Sequence, residues 1–583
     1  MSDPIDYGQY EAGRECNYWA LDPTLQAAVR HAYTDEEFAW AESVLSEFGH
    51  VAGHTLADTS NRIDRHGPIL HTYDKEGNIR NEVEYHPDQH ENERIVYGEF
   101  GFTHDAFHAP PGRDEPASLT HVLALQTLLC YTDVGFCCPV SMTTGAALVL
   151  EKFDDGSLSQ YFDRLTSRDV DEHIEGAMFL TEQQGGSDVG ANEVRAEPQE
   201  DGTYQLYGEK WFCSNLDAEG ALALARTPDA PAGTRGLSLF LVPRTKPSGE
   251  VNDSLFRRLK DKLGTLSVPT GEIEFRGAEA YLVGEEGRGF KQMAEMMNYE
   301  RLTNATGALG IMGRGLLEAK VHAANREAFG STIQEYPLLR RDLAELTTDY
   351  EAAAAFAFEA ARLMDAREEA GDDSSEYKLM RLLVPIAKYK TARMSVETAS
   401  YCMEVLGGNG YVREHVTPRL LRDAQVLPIW EGTSNILSLD VLRVFARESA
   451  HEALIPYVDD LLDVDHPALA EPRSQLREAF TELQTALGTL ATVDEDHAQY
   501  HAKQLADLVF DVVAGALLLD RAADELDDDG RLALVVTLFA RDRFEGGYGI
   551  DSGERLGDEQ FDAIVRYGSV EPESLAASPS PDD

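Results

Sequence analysis

The spacing of apolar residues changes along the chain and divides it into regions of different predicted structure. Over residues 36–54 and 120–152, apolar side chains recur every three or four positions, the spacing of helices with one buried face. Between them, residues 68–87 alternate around an Asp-Lys-Glu-Gly turn, which predicts a short hairpin or loop. We therefore predict a mostly helical N-terminal domain over residues 1–175.

The pattern shifts to short apolar runs over residues 176–285. Runs at 204–208, 221–226, 237–243 and 271–275 are separated by Gly, Pro and Asp, as expected for strands joined by turns. Several short strands of this kind are typical of a small β-barrel or a β-sandwich. The region is therefore predicted to be a central β domain.

Long helical patterns then return. Apolar positions over 339–369 and 377–406 predict long helices joined by short loops, which pack as a bundle over residues 286–445. A helical extension is predicted over 446–568. The last residues, 569–583, are rich in Ser, Pro, Ala and Asp and are predicted to be disordered. The fold class is thus α+β, with helical domains on both sides of a β domain in the sequence.

The charge of the chain is strongly unbalanced, with 103 acidic against 51 basic residues and a net charge of −52. Such a charge repels itself at low ionic strength. Molar salt shortens the Debye length to about 3 Å and removes that penalty. The composition favours the hypothesis of a halophilic protein from a high-salt cytoplasm. It also weighs against non-specific DNA binding, because lysine and arginine must neutralise phosphates there.

Neither a membrane span nor a metal site is predicted. No run of about 18 apolar residues occurs. The polar, acidic N-terminus lacks the basic and apolar regions of a signal peptide, so we expect a cytoplasmic protein. The six cysteines lack the spacing of metal ligands. The adjacent Cys137 and Cys138 are expected to be buried helical thiols rather than a redox pair.

One carboxylate, Glu431, lies between the apolar pair at 429–430 and a Gly-Thr-Ser turn. Desolvation by apolar neighbours would raise its pKa toward neutral pH, where a general base works best. Gly432 removes side-chain bulk beside the carboxylate and lets a ligand approach the backbone. A simpler interpretation is a helix start capped by Thr433 or Ser434. The two interpretations are compatible.

Three segments resemble the C-terminal FAD and active-site region of acyl-CoA dehydrogenases: 402–411, 419–424 and 428–436. The resemblance implies that Glu431 is the base that removes the α-proton of the substrate, and that Arg301 lines the active site. Glu300 matches a position where a minority of the family carries the base. The choice between the two carboxylates therefore stays open at this point.

The same resemblance implies which side chains hold FAD in the β domain. Thr181 and Ser187 fall in a Leu-Thr-Glu…Gly-Ser-Asp signature and would contact the flavin, with Ser187 towards either the flavin or the pantetheine. Ser214 matches a hydroxyl near flavin N5. Phe212 takes the place of an aromatic residue that packs on the flavin, although Trp211 precedes it by one position.

Further FAD contacts are implied for the helical region. Arg326 and Phe329 match an Arg-x-x-Phe motif whose Arg pairs with the pyrophosphate of a neighbouring subunit's FAD, and a guanidinium fork suits a diphosphate. Gly407 and Gly408 match glycines that approach the same FAD, and Thr433 matches a flavin-contacting hydroxyl. The site would then span chains of a homotetramer. No GxGxxG motif supports a nicotinamide-binding Rossmann fold instead.

Other segments resemble the AidB-like branch of the family: 73–87, 138–143, 181–188 and 258–264. The resemblance implies FAD-dependent α,β-dehydrogenation of an acyl-CoA, with electron-transfer flavoprotein as the acceptor. One alternative is an AidB-like flavoprotein of the DNA-alkylation response with weak dehydrogenase activity, and another is an acyl-CoA oxidase. Some AidB-like proteins bind DNA through a basic C-terminal region. This region is acidic here, which weighs against DNA binding.

The charge imbalance generates a first prediction. Raising KCl from 0.1 to 2 M should raise the thermal unfolding midpoint by several degrees, because screening reduces the repulsion between acidic side chains. Circular dichroism at each salt concentration measures the midpoint, with sucrose as a control for uncharged stabilisation. A midpoint that KCl leaves unchanged or lowers would contradict the high-salt hypothesis.

Overall fold

The computed structural model describes residues 3–371, 373–546 and 555–575. The chain forms two compact units, and each is described by itself below. One unit, called the helical unit here, comprises Met1–Ala39 and Asn304–Asp583. The other, called the mixed unit, comprises Trp40–Thr303 and contains helices and a β-sheet.

We number helices and strands in chain order. The helices are α1 (Pro23–Ala32), α2 (Asp35–Val51), α3 (Ala57–Arg65), α4 (Pro87–Glu93), α5 (Leu119–Cys130), α6 (Val134–Phe153), α7 (Ser159–Leu165), α8 (Gly289–Asn325), α9 (Pro337–Ala370), α10 (Ser375–Val405), α11 (Thr417–Ala424), α12 (Ser434–Glu448), α13 (His451–Leu461), α14 (Ala470–Leu490), α15 (Glu495–Tyr500), α16 (Ala502–Glu525), α17 (Arg531–Phe544), α18 (Asp558–Val565) and α19 (Pro572–Leu575). The strands are β1 (Ile69–Tyr73), β2 (Ile79–Glu84), β3 (Gly176–Phe179), β4 (Arg195–Pro198), β5 (Tyr204–Ser214), β6 (Gly220–Arg226), β7 (Leu237–Val242), β8 (Ser254–Leu259), β9 (Thr270–Val283), β10 (Glu327–Ala328) and β11 (Ser331–Thr332). The order of predicted helical, β and helical regions is confirmed.

The apolar region 120–152 forms two helices, α5 and α6, where the sequence pattern shows no interruption. Asp133 causes the break, because its carboxylate accepts a hydrogen bond from the backbone N–H of Phe136 at 2.9 Å and caps α6. Nearly every residue of both helices is buried. Among the described residues, α6 alone is long and apolar enough to cross a membrane, and 89% of its most apolar window is buried inside the protein.

The predicted β domain is a seven-stranded sheet that closes on itself. Strands β4, β5, β9, β7 and β6 follow one another as hydrogen-bonded neighbours, and a pairing of Arg226 with Arg195 joins β6 back to β4. Strand β3 runs parallel to β6, and β8 pairs with β9. Every residue of β7 is buried, which accounts for its continuous apolar run. Of the two architectures that the sequence left open, the pairing is that of a barrel.

The hairpin predicted over 68–87 consists of β1 and β2, which pair antiparallel. The Asp-Lys-Glu-Gly turn between them is held by Asp74, whose carboxylate accepts hydrogen bonds from the backbone N–H groups of Glu76 and Asn78. Asn81 in β2 is fully buried, and its side chain bonds to the backbone of Ser254 and Phe256 in β8. The hairpin is therefore fixed to the barrel by backbone-directed hydrogen bonds.

The helical unit is a bundle in which α9 and α10 pack along each other and α16 and α17 pack on α9. The predicted helical extension is present, and its helices α15 and α16 are separated at His501. Ion pairs fix the extension to the bundle. Lys390 of α10 contacts Asp507 of α16 at 2.8 Å, and Arg543 of α17 contacts Asp349 of α9 at 2.5 Å.

The most buried of these ion pairs joins Arg531 in α17 to Glu351 in α9, with side chains only 13% and 5% exposed. The Arg531 guanidinium also donates to the Ala563 carbonyl at 2.9 Å. It lies 4.7 Å from the centre of the Tyr567 ring. One side chain thus connects three segments of the helical unit.

Of the tail 569–583 that the sequence predicts to be disordered, the structure describes residues 569–575, which include α19. Val570 exchanges hydrogen bonds with the 529–530 turn, because its N–H donates to the Asp529 carboxylate and its carbonyl accepts from the Gly530 N–H. These bonds attach Val570 to the turn before α17. Residues 576–583 lie outside the described residues.

Five of the six cysteines are buried, including Cys137, and Cys138 is partly buried. The expected burial of this pair is confirmed for Cys137 and partial for Cys138. Desolvation raises the pKa of Cys16 to about 11 and that of Cys402 to about 12. These thiols are therefore protonated at neutral pH.

Substitution of Arg531 tests the contribution of this contact to the helical unit. Arg531→Met should lower the free energy of unfolding by about 3–5 kcal/mol, because it leaves the Glu351 carboxylate buried without its counter-ion. Urea unfolding measures the change. Arg541→Met, on the same helix but with a side chain 41% exposed, is the matched control and should cost at most about 1 kcal/mol. Equal stability of the two variants would show that the buried pair contributes nothing beyond a surface pair.

Candidate active site

Glu431 lies in the turn between α11 and α12, and its backbone is left-handed. Its φ is +53°, and φ of the next residue, Gly432, is +101°. A left-handed residue other than glycine costs about 1–2 kcal/mol, and such residues concentrate at functional sites. The glutamate side chain is partly exposed. The turn therefore holds a carboxylate at the protein surface in a backbone conformation that is unfavourable for it.

The alternative interpretation of this segment as a helix start is also present. Thr433 occupies the N-cap position of α12 with an extended backbone. Its side chain is exposed and forms no capping hydrogen bond. The Thr433 hydroxyl is therefore available to a ligand rather than used by the helix.

A buried lysine contacts this turn from α10. Lys388 is 0% exposed, and its ammonium donates a hydrogen bond to the Gly432 carbonyl at 2.6 Å. The pattern of the sequence offered one signal for it, a lone lysine within the apolar run 382–389. None of the family motifs includes Lys388.

Glu300, the other candidate base, lies in the mixed unit on α8 and has a different environment. It is 6% exposed, and its carboxylate accepts a hydrogen bond from the Ser141 hydroxyl at 2.7 Å. Arg301 is 8% exposed. Glu300 is thus a buried, hydrogen-bonded carboxylate, whereas Glu431 is partly exposed on a left-handed turn.

The loop that carries Thr181 and Ser187 is anchored by a buried ion pair. Lys210 of β5, 0% exposed, donates to the Glu182 carboxylate at 2.9 Å and to the Leu180 carbonyl at 3.2 Å. Burial lowers the pKa of Lys210, and Glu182 opposes that shift. Thr181 also accepts a hydrogen bond at its carbonyl from the backbone N–H of residue 211 at 2.9 Å. The loop is thereby held along the edge of β5, with Ser187 exposed.

The aromatic pair of β5 lies at a bulge, since the register with β9 shifts between Lys210 and Cys213. Phe212 is 55% exposed. The ring of Trp211 is covered by the ammonium of Lys260, which lies 3.5 Å from its centre. The same ammonium lies 4.8 Å from the centre of the Phe212 ring. Phe212 is nevertheless the more exposed ring of this pair.

Ser214, the remaining predicted FAD contact of the mixed unit, lies two residues after Phe212 in the sequence. Ser214 ends β5 and shares a hydrogen bond with the Thr270 hydroxyl at 3.0 Å. The Lys260 ammonium contacts the Glu272 carboxylate at 2.6 Å. Positive and negative groups are thus paired beside the exposed aromatic face.

In the helical unit, Arg326 and Phe329 lie in the short hairpin of β10 and β11. Phe329 is 100% exposed and left-handed, with φ of +55°. Arg326 is exposed and forms no hydrogen bond or ion pair through its side chain within the described residues. Gly407 and Gly408 face open space, because a Cβ at either would contact no atom within 4 Å. These four residues offer an aromatic ring, a guanidinium and bare backbone to a partner or ligand.

The residues of each unit fit part of a large planar cofactor with a diphosphate. In the mixed unit, Phe212 offers an apolar face, and Thr181, Ser187 and Ser214 offer hydroxyls. In the helical unit, Thr433 offers a hydroxyl, and Arg326 offers a guanidinium that pairs with no side chain in the described part of the chain. No group of three or more histidine, cysteine or acidic side chains is placed to hold a metal ion in the described part of the chain.

Comparison with known proteins agrees with this geometry. Residues 9–172 match the adaptive response protein AidB N-terminal domain, 177–278 the acyl-CoA dehydrogenase middle domain, and 287–445 the acyl-CoA dehydrogenase C-terminal domain. Acyl-CoA dehydrogenase family member 11 of Caenorhabditis elegans is 33% identical, over 87% of this chain and 84% of its own length. AidB of Escherichia coli (strain K12) is 31% identical, over 86% of this chain and 94% of its own length.

A solved structure is also similar to this chain along most of its length. The crystal structure of Caenorhabditis elegans ACDH-11 in complex with C11-CoA aligns with a TM-score of 0.85 at 31% identity. The alignment covers 92% of this chain and 93% of the other.

Fold, site and relatives define a class, the flavin-dependent oxidoreductases that act on acyl-CoA thioesters. This chain belongs to the acyl-CoA dehydrogenase family, and its N-terminal region places it beside AidB within that family. Members of the family depend on FAD, so FAD is the cofactor.

Proposed function

We propose that the protein catalyses the α,β-dehydrogenation of an acyl-CoA thioester with Glu431 as the base. The observation that carries the proposal is the left-handed Glu431-Gly432 turn, which holds a partly exposed carboxylate beside an exposed threonine hydroxyl. Backbone strain of this kind persists where the surrounding structure imposes it, as at catalytic sites. Glu300 is the weaker candidate because the Ser141 hydroxyl already bonds to its carboxylate in a buried environment.

The proposed reaction removes two hydrogens from adjacent carbons. The Glu431 carboxylate accepts the α-proton, and the electrons of that C–H bond form the new double bond as a hydride leaves the β-carbon. Bound FAD supplies the acceptor of that hydride. The backbone N–H of Glu431 would donate to the thioester carbonyl, where negative charge develops during proton removal. The base and the hydride acceptor together take up the two hydrogens that leave the substrate.

The substrate class rests on similarity. The related ACDH-11 was crystallised with C11-CoA, and both it and this chain share the fold over nearly their full length. A CoA thioester is therefore the proposed substrate, and electron-transfer flavoprotein the proposed acceptor, as in most of the family.

A second candidate function is a protective or binding role in the alkylation response, which the AidB N-terminal match favours. The surface of the helical extension weighs against DNA binding. Asp459, Asp460, Asp463 and Asp465 are all exposed there. Acidic side chains repel phosphates and release no counterions. Dehydrogenation therefore remains the leading proposal.

The exposed hairpin supports a proposal of assembly into a homotetramer. A fully exposed phenylalanine beside an unpaired arginine is unusual on a surface that contacts only water, and both groups suit a contact with a second copy and its cofactor. Light scattering in molar KCl should give a mass well above the 64.4 kDa of one chain. A mass of one chain would contradict the shared site.

Glu431→Gln tests the proposed base. The variant should retain FAD but reduce flavin at least about 100-fold more slowly than wild type on mixing with acyl-CoA, because the amide cannot accept the proton. Anaerobic stopped-flow absorbance measures the rate over a panel of acyl-CoA chain lengths. Glu300→Gln is the matched control and should stay within a few-fold of wild type.

Each other outcome points to a different conclusion. A large loss in Glu300→Gln with none in Glu431→Gln would move the base to Glu300. Flavin that no acyl-CoA reduces in the wild type would favour the protective role. Rapid peroxide formation when the reduced protein meets air would indicate an acyl-CoA oxidase.

A further inference from the structure

Lys388 is an ammonium placed where water cannot reach it. It lies in the middle of α10, is 0% exposed, and is surrounded in sequence by the buried residues Val384, Ile386 and Ala387. Burying a charged amine is costly unless its hydrogen bonds are satisfied. We therefore expect the buried Lys388 ammonium to make a specific contact that stabilises the fold.

One of its contacts is with the backbone of the turn that bears Glu431. The Lys388 ammonium donates to the Gly432 carbonyl at 2.6 Å, the length of a strong charge-assisted hydrogen bond. Gly432 is the residue directly after the proposed base. The contact thus reaches the backbone of the turn through its carbonyl, and the Glu431 side chain is partly exposed.

The turn needs an external restraint. Two successive residues are left-handed, Glu431 at φ +53° and Gly432 at φ +101°, and only glycine adopts such values without cost. Thr433 gives the turn no help from its side chain, since it does not cap α12. Helices α10 and α12 pack against each other, so a bond from α10 fixes the turn relative to the start of α12.

We propose that Lys388 is a positioning residue that holds the Glu431-Gly432 turn in its left-handed conformation through the Gly432 carbonyl. The inference rests on the proposed role of Glu431. Lys388 touches neither substrate nor cofactor in this account. It fixes the direction in which the Glu431 carboxylate and backbone N–H point.

The kinetic consequence follows from geometry. A general base must reach the proton that it removes within hydrogen-bond distance, and a displacement of about 1 Å can reduce a rate about 100-fold. Without the ammonium, the turn can relax towards an ordinary right-handed conformation. Proton removal should therefore slow, whereas acyl-CoA and FAD should bind nearly as before because neither contacts Lys388.

The test compares Lys388→Met with wild type in molar KCl. Methionine keeps the unbranched apolar stem of lysine, one atom shorter, but cannot donate a hydrogen bond. We expect flavin reduction at saturating acyl-CoA to slow about 10- to 100-fold, with FAD content and the acyl-CoA dissociation constant changed less than about threefold. Lys378→Met is the matched control, since Lys378 lies on the same helix in a surface pair with Glu452 at 2.8 Å. It should behave as wild type.

A double-mutant cycle separates positioning from a general structural role. In the Glu431→Gln background the base is already absent, so adding Lys388→Met should change the residual rate less than about twofold. An equal fold-loss in both backgrounds, or loss of FAD in step with loss of rate, would overturn the proposal. An unchanged rate in Lys388→Met would overturn it too. If Glu431→Gln itself reduces flavin normally, the base assignment fails instead, which is a distinguishable result.

Partial replacements keep the proposal testable if Lys388→Met does not fold. Arginine retains a charged donor and glutamine a neutral, shorter one. The rates of flavin reduction at equal FAD content should rank lysine, then Lys388→Arg, then Lys388→Gln. Equal rates in these two variants and wild type would overturn the proposal.

Discussion

The bond from the Lys388 ammonium to the Gly432 carbonyl is the contact on which the candidate site depends. It joins the middle of a long buried helix to the left-handed turn at Glu431 and Gly432. A flexible loop in the same place would give a carboxylate of similar chemistry but no fixed direction. The helices of the bundle therefore matter to function because they bring a buried charge to one backbone carbonyl.

The mixed unit uses the same principle for a different purpose. The buried Lys210 binds Glu182 and the backbone of the loop that carries Thr181 and Ser187. The chain has 12 lysines among 583 residues, and at least two of them, Lys210 and Lys388, are fully buried. Each of these two binds a loop that carries candidate site residues. The surface is strongly acidic, whereas these interior positive charges serve as short, directed supports for irregular backbone.

Much of the fold follows from the spacing of apolar residues, and the parts that do not follow have local causes. The strand β7 and the helices α9 and α10 are evident because burial dictates their residues along most of their length. The break between α5 and α6 depends on the single capping carboxylate of Asp133, which a pattern of apolar residues does not register. Closure of the barrel depends on a pairing between strands that are distant in sequence. The spacing of apolar residues within each strand is the same in a barrel and in a sandwich, so it does not predict which of the two forms.

The candidate site also has parts that the sequence predicts and parts that only the folded structure reveals. The motifs predict Glu431, the hydroxyls and the Arg326 and Phe329 pair as site residues, because these residue types are tied to their chemistry. The motif could not tell which aromatic residue of the 211–212 pair is more exposed, because that depends on a bulge in β5, which the sequence pattern does not reveal. The contact of Lys388 could not be predicted, because it is a hydrogen bond to a backbone carbonyl. Every residue has such a carbonyl, so no residue type in the sequence marks its partner.

The burial of the cysteines has a consequence for the chemistry that the protein can withstand. Alkylating agents and peroxide attack the thiolate rather than the thiol, and Cys16, Cys213 and Cys402 have pKa values raised by burial. Their sulfur atoms are both neutral and shielded by packed side chains. These three thiols should therefore react with electrophiles more slowly than exposed thiols do, and the packing around them should persist under conditions that modify exposed cysteines.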